Sequence, residues 1–199
     1  MNSNGRGFVF GAAEDGTIYY RQKKAQYNIE IEQKIRQWLE IVKDEIETTY
    51  NFHAKISVTS KGYFRLTVVS KALHNEIVER RKNYYTILLE SYDFQIGFLQ
   101  GIFDAEGTVH NKRYSVRMAS KKEAVILVVK ELLERNKIKV GKIHYDKTAI
   151  VLPLYGKENL QLFKNVVGFR HQEKKDRLNI MIPDQSIGVV AGESSRRRS

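Results

Sequence analysis

A short motif occurs twice in this chain, and the repetition limits what it can fold into more than any other feature. Phe8-Val9-Phe10-Gly11-Ala12-Ala13-Glu14-Asp15-Gly16-Thr17-Ile18 is echoed by Leu99-Gln100-Gly101-Ile102-Phe103-Asp104-Ala105-Glu106-Gly107-Thr108-Val109. Both are apolar, small-residue-rich segments ending in an acid, Gly, Thr and a β-branched residue. Repetition of this kind means two copies of one supersecondary unit. After each copy a polar loop leads into alternation, at Tyr27-Asn28-Ile29-Glu30-Ile31-Glu32 and at Tyr114-Ser115-Val116-Arg117-Met118, which reads as a half-buried strand. Helical spacing follows, with Ile35, Trp38, Leu39, Val42 and Ile46 in one half and Val125, Val128, Val129, Leu132 and Leu133 in the other.

Each helix gives way to strands. In the first half these are residues 54–59 and 63–69, joined by a Ser-Lys-Gly turn; in the second they are 139–145 and 148–154, joined at Asp146-Lys147. Helices at 71–81 and 157–167 close the units, so each half reads α-β-α-β-β-α. The connection at residues 82–93 lacks the Gly, Pro and Ser of a flexible linker, which predicts one rigid body with a pseudo-two-fold axis. Residues 1–81 form the first repeat, 94–182 the second and 183–199 a mobile basic tail. The 199 residues, 42% of them apolar, suffice for one ordinary domain or two very small ones, which excludes disorder for the bulk.

The physics of the repeated segment points to a metal. On a helix running from Phe94 to Glu106, Gly97, Gly101 and Ala105 fall on one face, which lets another backbone approach closely. Gly11 and Ala12 offer similar room in the first segment. If the two motif helices pack together, Asp15 and Glu106 come close to each other at their C-terminal ends. Two carboxylates there resist ionising together, and the helix dipole disfavours both. A divalent cation resolves the conflict, and two acids with the exposed carbonyls of Glu14 and Ala105 make an oxygen-rich Mg²⁺-type site. A single such motif reads equally as a C-cap glycine beside a surface acid; its duplication in the same element order favours the metal. With no Cys and five scattered His, cysteine–zinc sites, thiolate nucleophiles and disulfides are excluded.

Charge indicates the partner. The net charge is +11, and the halves differ: +2 for residues 1–99 and +9 for 100–199, three of the latter from Arg196 to Arg198. A polyanion is the expected ligand, since neutralising phosphates releases condensed counterions. A solvated basic surface accounts for the charge alone equally well. No apolar stretch approaches the length that spans a bilayer, and the polar start, Met1 to Arg6, does not suit a secretory signal; the expected location is intracellular, with no membrane partner.

The sequence resembles a LAGLIDADG homing endonuclease of the single-chain, two-repeat type, like the archaeal intron-encoded members. The likeness runs from Gly7 to Leu178, with Phe98 to Gly107 a good match to the motif and Phe8 to Gly16 a degenerate one. It implies an α+β fold of two αββαββα repeats, each with a four-stranded antiparallel sheet. The sheets form a DNA-binding saddle, and the motif helices lie at the repeat interface. It also implies a monomer that cuts both strands of a long pseudo-palindromic or asymmetric duplex site across the minor groove and leaves 3′ overhangs, promoting intron homing. The cofactor is Mg²⁺, with Mn²⁺ as a substitute and Ca²⁺ binding without cleavage. A non-cleaving RNA maturase or DNA-binding regulator of the same fold is the alternative, and intron RNA a further possible partner. Retention of both motif acids favours the nuclease.

Three departures stand out. Ala13 replaces the motif's first acid, Glu14 stands where a small residue is usual and puts an extra charge beside the site, and Glu106 takes the place of an Asp. Asp15 and Glu106 carry the catalytic metal-binding role in this resemblance. The family places supporting polar or basic groups at the end of the first strand of each repeat, here Gln33-Lys34 and Ser120-Lys121. Strand alternation turns Asn28, Glu30, Glu32, Ser115 and Arg117, and Lys55, Ser57, Thr59, Arg65 and Thr67, toward DNA, with Ile56, Val58, Phe64, Leu66 and Val68 inward. Arg to guanine, Asn to adenine and Glu to cytosine are the expected pairings. Arg21, Lys23, Lys24, Lys61, Lys112, Arg113, Lys139, Lys142 and Lys147 suit phosphates. Trp38 suits the core, and His171 with Lys174 and Lys175 resembles the family's closing basic segment near the DNA backbone.

Overall fold

Two glycine-bearing helices cross at the centre of the molecule. In the computed structural model, which describes residues 2–183, α1 (Ser3–Ala12) starts at Asn2, whose side chain accepts from Gly5 N, and α4 (Tyr92–Glu106) starts at Ser91, which caps Phe94 N. Both helices are apolar on nearly every side, as befits buried elements. A Cβ on Gly97 or Gly101 would lie 2.0 Å from the Asn4 carbonyl or 2.1 Å from that of Phe8. Reciprocally, one on Gly7 or Gly11 would lie 2.0 Å from the Phe94 carbonyl or 2.4 Å from that of Phe98. The close approach expected from Gly97, Gly101 and Gly11 is present, and Gly7 joins it.

Two four-stranded antiparallel sheets flank this crossing, in the orders β1-β2-β4-β3 and β5-β6-β8-β7. The first comprises β1 (Thr17–Arg21), β2 (Gln26–Gln33), β3 (Ala54–Val58) and β4 (Phe64–Val69), with α2 (Arg36–Tyr50) and α3 (Lys71–Lys82). The second comprises β5 (Gly107–His110), β6 (Ser115–Ser120), β7 (His144–Tyr145) and β8 (Ile150–Tyr155), with α5 (Glu123–Arg135), α6 (Lys157–Val166) and α7 (Gln172–Met181). Ile29, Ile31, Val116, Met118, Leu66 and Val68 point into the helices, as their alternation requires, and Trp38 is core.

Three features differ from the sequence reading. The supposed polar loops after each motif begin as strands, β1 and β5, which turn back through short 3₁₀ segments at Gln22–Lys24 and Asn111–Arg113. Those turns close on Ala25 and Tyr114 at φ of 49° and 43°, so the left-handed residue is not the Gly or Asn that marks a turn in sequence. The strand expected at 139–145 shrinks to His144–Tyr145, because Pro153 on β8 has no N–H to offer and its carbonyl alone accepts from Gly141 N at 2.8 Å. Val58, expected inward, is 67% exposed at the end of β3. The closing basic segment forms helix α7, and the connection between repeats is a 3₁₀ stretch, Tyr84–Leu89, anchored by buried Tyr84 and Ile87.

Arginines staple the repeats across the axis. Arg170 of the second repeat bonds Glu45 and Asn4 of the first and lies over the Phe8 ring at 4.1 Å, while Arg80 lies over the Phe94 ring at 4.4 Å. No helix among the described residues is long and apolar enough to cross a membrane. Residues 184–199, the expected basic tail, lie outside the described residues.

Candidate functional site

The site grows out of the ends of the crossed helices. Helix α1 passes into a 3₁₀ turn, Ala13–Asp15, and α4 ends on Glu106, so each chain leaves its helix at an acid and enters its first strand at Gly16 or Gly107. The glycine-tight crossing brings these ends together. Burial pushes Glu106 up to about 7, and the neighbouring charge of Asp15 adds to the shift. Asp15 is also raised by desolvation, against a hydrogen bond from Gln33 and the charge of Lys174.

Each acid opens into a groove with the end of its own repeat's second strand. Asp15 shares one with Gln33, Lys34, Tyr63, Thr108 and Lys174; Glu106 shares the other with Ser120, Lys121 and Thr148. Gln33 Nε2 donates to Asp15 Oδ2 at 2.8 Å, and the Lys34 ammonium stands 5.5 Å from the Tyr63 ring centre. Ser120 Oγ accepts from Lys122 N at 3.1 Å. Gln33-Lys34 and Ser120-Lys121 therefore sit beside the acids, at the ends of β2 and β6 rather than of the first strands, because β1 and β5 precede them.

Two cations cap the motif ends in matching fashion. Lys174 of α7 places its ammonium on the Asp104 carbonyl, with the Phe103 and Ala105 carbonyls at 3.3 and 3.4 Å. Arg81 donates to the Ala13 and Gly16 carbonyls of the first motif. Ala13 and Asp104 occupy the same motif position, so a cation neutralises the negative end of each helix. Burial lowers Lys174 to about 8, against the pull of Asp104, Glu106 and Asp15. A cation thus already rests on oxygens beside the acid pair, and the donor set suits a harder one. Among the described residues there is no cluster of three or more His, Cys, Asp and Glu that could hold a metal.

The extra charge of Glu14 does not face the acids as a free carboxylate. Its side chain, 4% exposed, accepts from Arg81 at 3.0 Å, Lys122 at 2.8 Å and the Tyr84 hydroxyl at 2.9 Å. Three donors satisfy the buried anion. Asp104, the surviving first acid of the motif, is structural: it accepts the backbone N–H groups of Arg170 and His171 and so holds the segment that leads into α7. Burial raises it to about 6. Lys174, expected near the DNA backbone, lies instead on the motif carbonyls, and sequence spacing did not link it, Lys122, Arg81 or Tyr84 to the motifs because all four reach them from distant segments.

On the sheet faces the expected DNA contacts divide. Asn28 and Ser115 are buried, at 3% and 0% exposure, Asn28 with its amide turned to the Gln26 carbonyl, so neither is open to a base. Glu30 accepts from the Tyr19 hydroxyl at 2.7 Å and meets Arg65 at 3.4 Å, while Arg65 also bonds Glu32. Lys55, Ser57, Arg21, Lys23, Lys24, Lys61, Lys112, Arg113, Lys142 and Lys147 are exposed; Thr59, Thr67 and Arg117 are half-buried. Lys139 is exposed, with its backbone tied to the Asn159 side chain at the start of α6. His171 is 7% exposed and burial lowers its pKa, which removes it from the phosphate contacts.

Residues 93–168 match the model of the LAGLIDADG-like domain. The chain is 24% identical over 215 residues to the homing endonuclease I-ApeI of Aeropyrum pernix, covering 93% of each. It is 27% identical over 154 residues to the glutamine–fructose-6-phosphate aminotransferase of Methanocaldococcus jannaschii, where the match takes 68% of this chain and only 14% of that protein. Among solved structures, I-DmoI in complex with DNA and Mn superposes with a TM-score of 0.69 at 22% identity, over 84% of this chain and 98% of the other. The two-repeat architecture of this chain is the fold of that protein.

Proposed function

We propose that the protein is a homing endonuclease that hydrolyses both strands of a long double-stranded DNA site, a reading supported by the match of residues 93–168 to the LAGLIDADG-like domain. The observation that carries this reading is the meeting of Asp15 and Glu106 at the crossing of α1 and α4, each opening to a separate groove. Two grooves on either side of one axis suit two scissile phosphates, one on each strand. The similarity to I-ApeI, a homing endonuclease, and to I-DmoI bound to DNA supports the same class of substrate.

Asp15 and Glu106, with the Glu14 and Ala105 carbonyls, are the residues that would hold Mg²⁺, or Mn²⁺ in its place, with Ca²⁺ supporting binding alone. Such an ion supplies Lewis acidity to the phosphate and lowers the pKa of water. Gln33 holds Asp15 in orientation, and Lys34 and Lys121 stand where they stabilise charge building on a phosphate. Lys174 holds the end of α4 and lowers the repulsion between the acids. The unpaired lysines and arginines at the hairpin tips grip the backbone, and the sheet faces read the bases. Cleavage across the minor groove with 3′ overhangs, in service of intron homing, is the finer form of the proposal. One chain supplies both acids, so a monomer suffices.

The test is selection from a randomised duplex library in Ca²⁺ followed by transfer to Mg²⁺ and sequencing of cut ends. Discrete double-strand cuts at one long sequence are expected. Binding without cutting, or preference for RNA over duplex DNA, would transfer the reading to a regulator or a maturase.

A further inference from the structure

The two sheets carry opposite charges at one matched position. Glu30 on β2 faces Thr17 of β1 and Thr67 of β4; Arg117 on β6 faces Thr108 of β5 and Pro153 of β8. Thr17 and Thr108 each follow the motif glycine, so Glu30 and Arg117 stand on the same rung of the two repeats. Their surroundings differ. Glu30 is spent within the protein: it accepts from the Tyr19 hydroxyl and, with Glu32, holds the Arg65 guanidinium, while Arg21 donates to the same hydroxyl at 2.9 Å.

The Arg117 side chain makes no hydrogen bond or ion pair among the described residues, and its Nε is enclosed with no partner. Its strand neighbours Val116 and Met118 are fully buried on the helix side, so Arg117 points to the open face. There it lines two adjoining grooves, one with Lys112, Arg113 and Arg177, the other with His144 and Tyr155. Asp146, the one carboxylate lining either groove, accepts from Lys147 N at 2.6 Å. Lys112 and Arg113 sit exposed at the hairpin tip, the place for phosphates, whereas Arg117 is half-buried in mid-strand.

We infer that Arg117 is a specificity-determining residue that reads a guanine in the half-site under the second sheet. The matched position under the first sheet is not read by an arginine, because Glu30 serves there to hold Arg65 on the neighbouring strand. A guanidinium whose terminal amino groups have no protein partner, on a stem fixed by the sheet, fits the O6 and N7 acceptors of guanine. The target therefore departs from palindromy at this pair of positions. The inference rests on the proposed DNA-binding function.

The experiment is the Ca²⁺ duplex selection, run with wild type, Arg117→Ala and Arg117→Gln. Wild type is expected to enrich guanine at one position of one half-site. Arg117→Ala loses that preference by roughly 10- to 100-fold and leaves other positions as they were. Arg117→Gln moves the preference toward adenine, a gain that a misfolded protein cannot produce. Uniform weakening of all sequences with the guanine preference intact overturns the inference and makes Arg117 a phosphate contact. Wild type that selects no duplex overturns the proposed function, and this inference with it.

Discussion

The Gln33 amide donates a 2.8 Å hydrogen bond to Asp15 Oδ2, tying the end of β2 to the end of α1 across 18 residues of chain. The bond favours the ionised carboxylate that burial opposes. Gln33→Ala raises Asp15 further above its ordinary range. The variant is expected to cut the strand served by Asp15 roughly 10-fold more slowly at neutral pH, consistent with loss of a hydrogen bond to a charged group. Nicked plasmid then accumulates before the linear form, which gel analysis of a time course resolves. Equal slowing of both strands contradicts this assignment.

Stability without divalent cations is expected to depend on pH through the acid pair. Glu106 is raised to about 7 and Asp104 to about 6, so the folded state binds more protons than the unfolded chain below those values. Their contributions are present at acid pH and are lost as pH rises through 6 to 7. Lys174, lowered to about 8, has the opposite sign: its cost is present below pH 8 and is relieved as pH rises toward the ordinary lysine value. Thermal melts of wild type and Glu106→Gln in EDTA check this. The advantage of Glu106→Gln is expected to grow up to pH 7 and then level off, and Ca²⁺ to stabilise wild type most above pH 7.

The helix crossing predicts a large cost for a single methyl group. A Cβ on Gly97 would lie 2.0 Å from the Asn4 carbonyl, in backbone that has no rotamer to yield. Gly97→Ala or Gly101→Ala is expected to destabilise by at least ~2 kcal/mol despite the better helix propensity of alanine, read as a lower urea midpoint. Unchanged midpoints would mean that the two helices are not so close.

Arg170→Ala removes the bonds to Glu45 and Asn4 and the stacking on Phe8, and leaves Glu45 half of a broken pair. A loss of about 2 kcal/mol is expected in denaturant titration. Arg170→Lys is expected to recover only part of it, because a point charge cannot serve both acceptors and the ring.

Much of this architecture was legible in the chain because the repeat and the period-two and helical patterns agree. The motif acids, the packing glycines Gly97, Gly101 and Gly11, and the polar pairs Gln33-Lys34 and Ser120-Lys121 could all be placed. What escaped has identifiable causes. Strands β1 and β5 turn back through Ala25 and Tyr114, residues that do not announce a left-handed turn. Strand β7 is cut short by Pro153 on its partner, a restraint invisible from residues 139–145 themselves. Asn28 and Ser115 alternate correctly yet are covered, since period two gives a side and not its depth. Lys174 reaches the acids from α7, and no local spacing links residue 174 to residue 106.

The most direct measurement is the fate of a supercoiled plasmid carrying the selected site, incubated in Mg²⁺ with wild type, Asp15→Asn and Glu106→Gln, alongside Ca²⁺-dependent binding of the same duplex. The account predicts that wild type linearises the plasmid and that neither variant does, while both remain folded and bind the site. Linear product from either variant at the wild-type rate would contradict the central claim that Asp15 and Glu106 together make the catalytic centre.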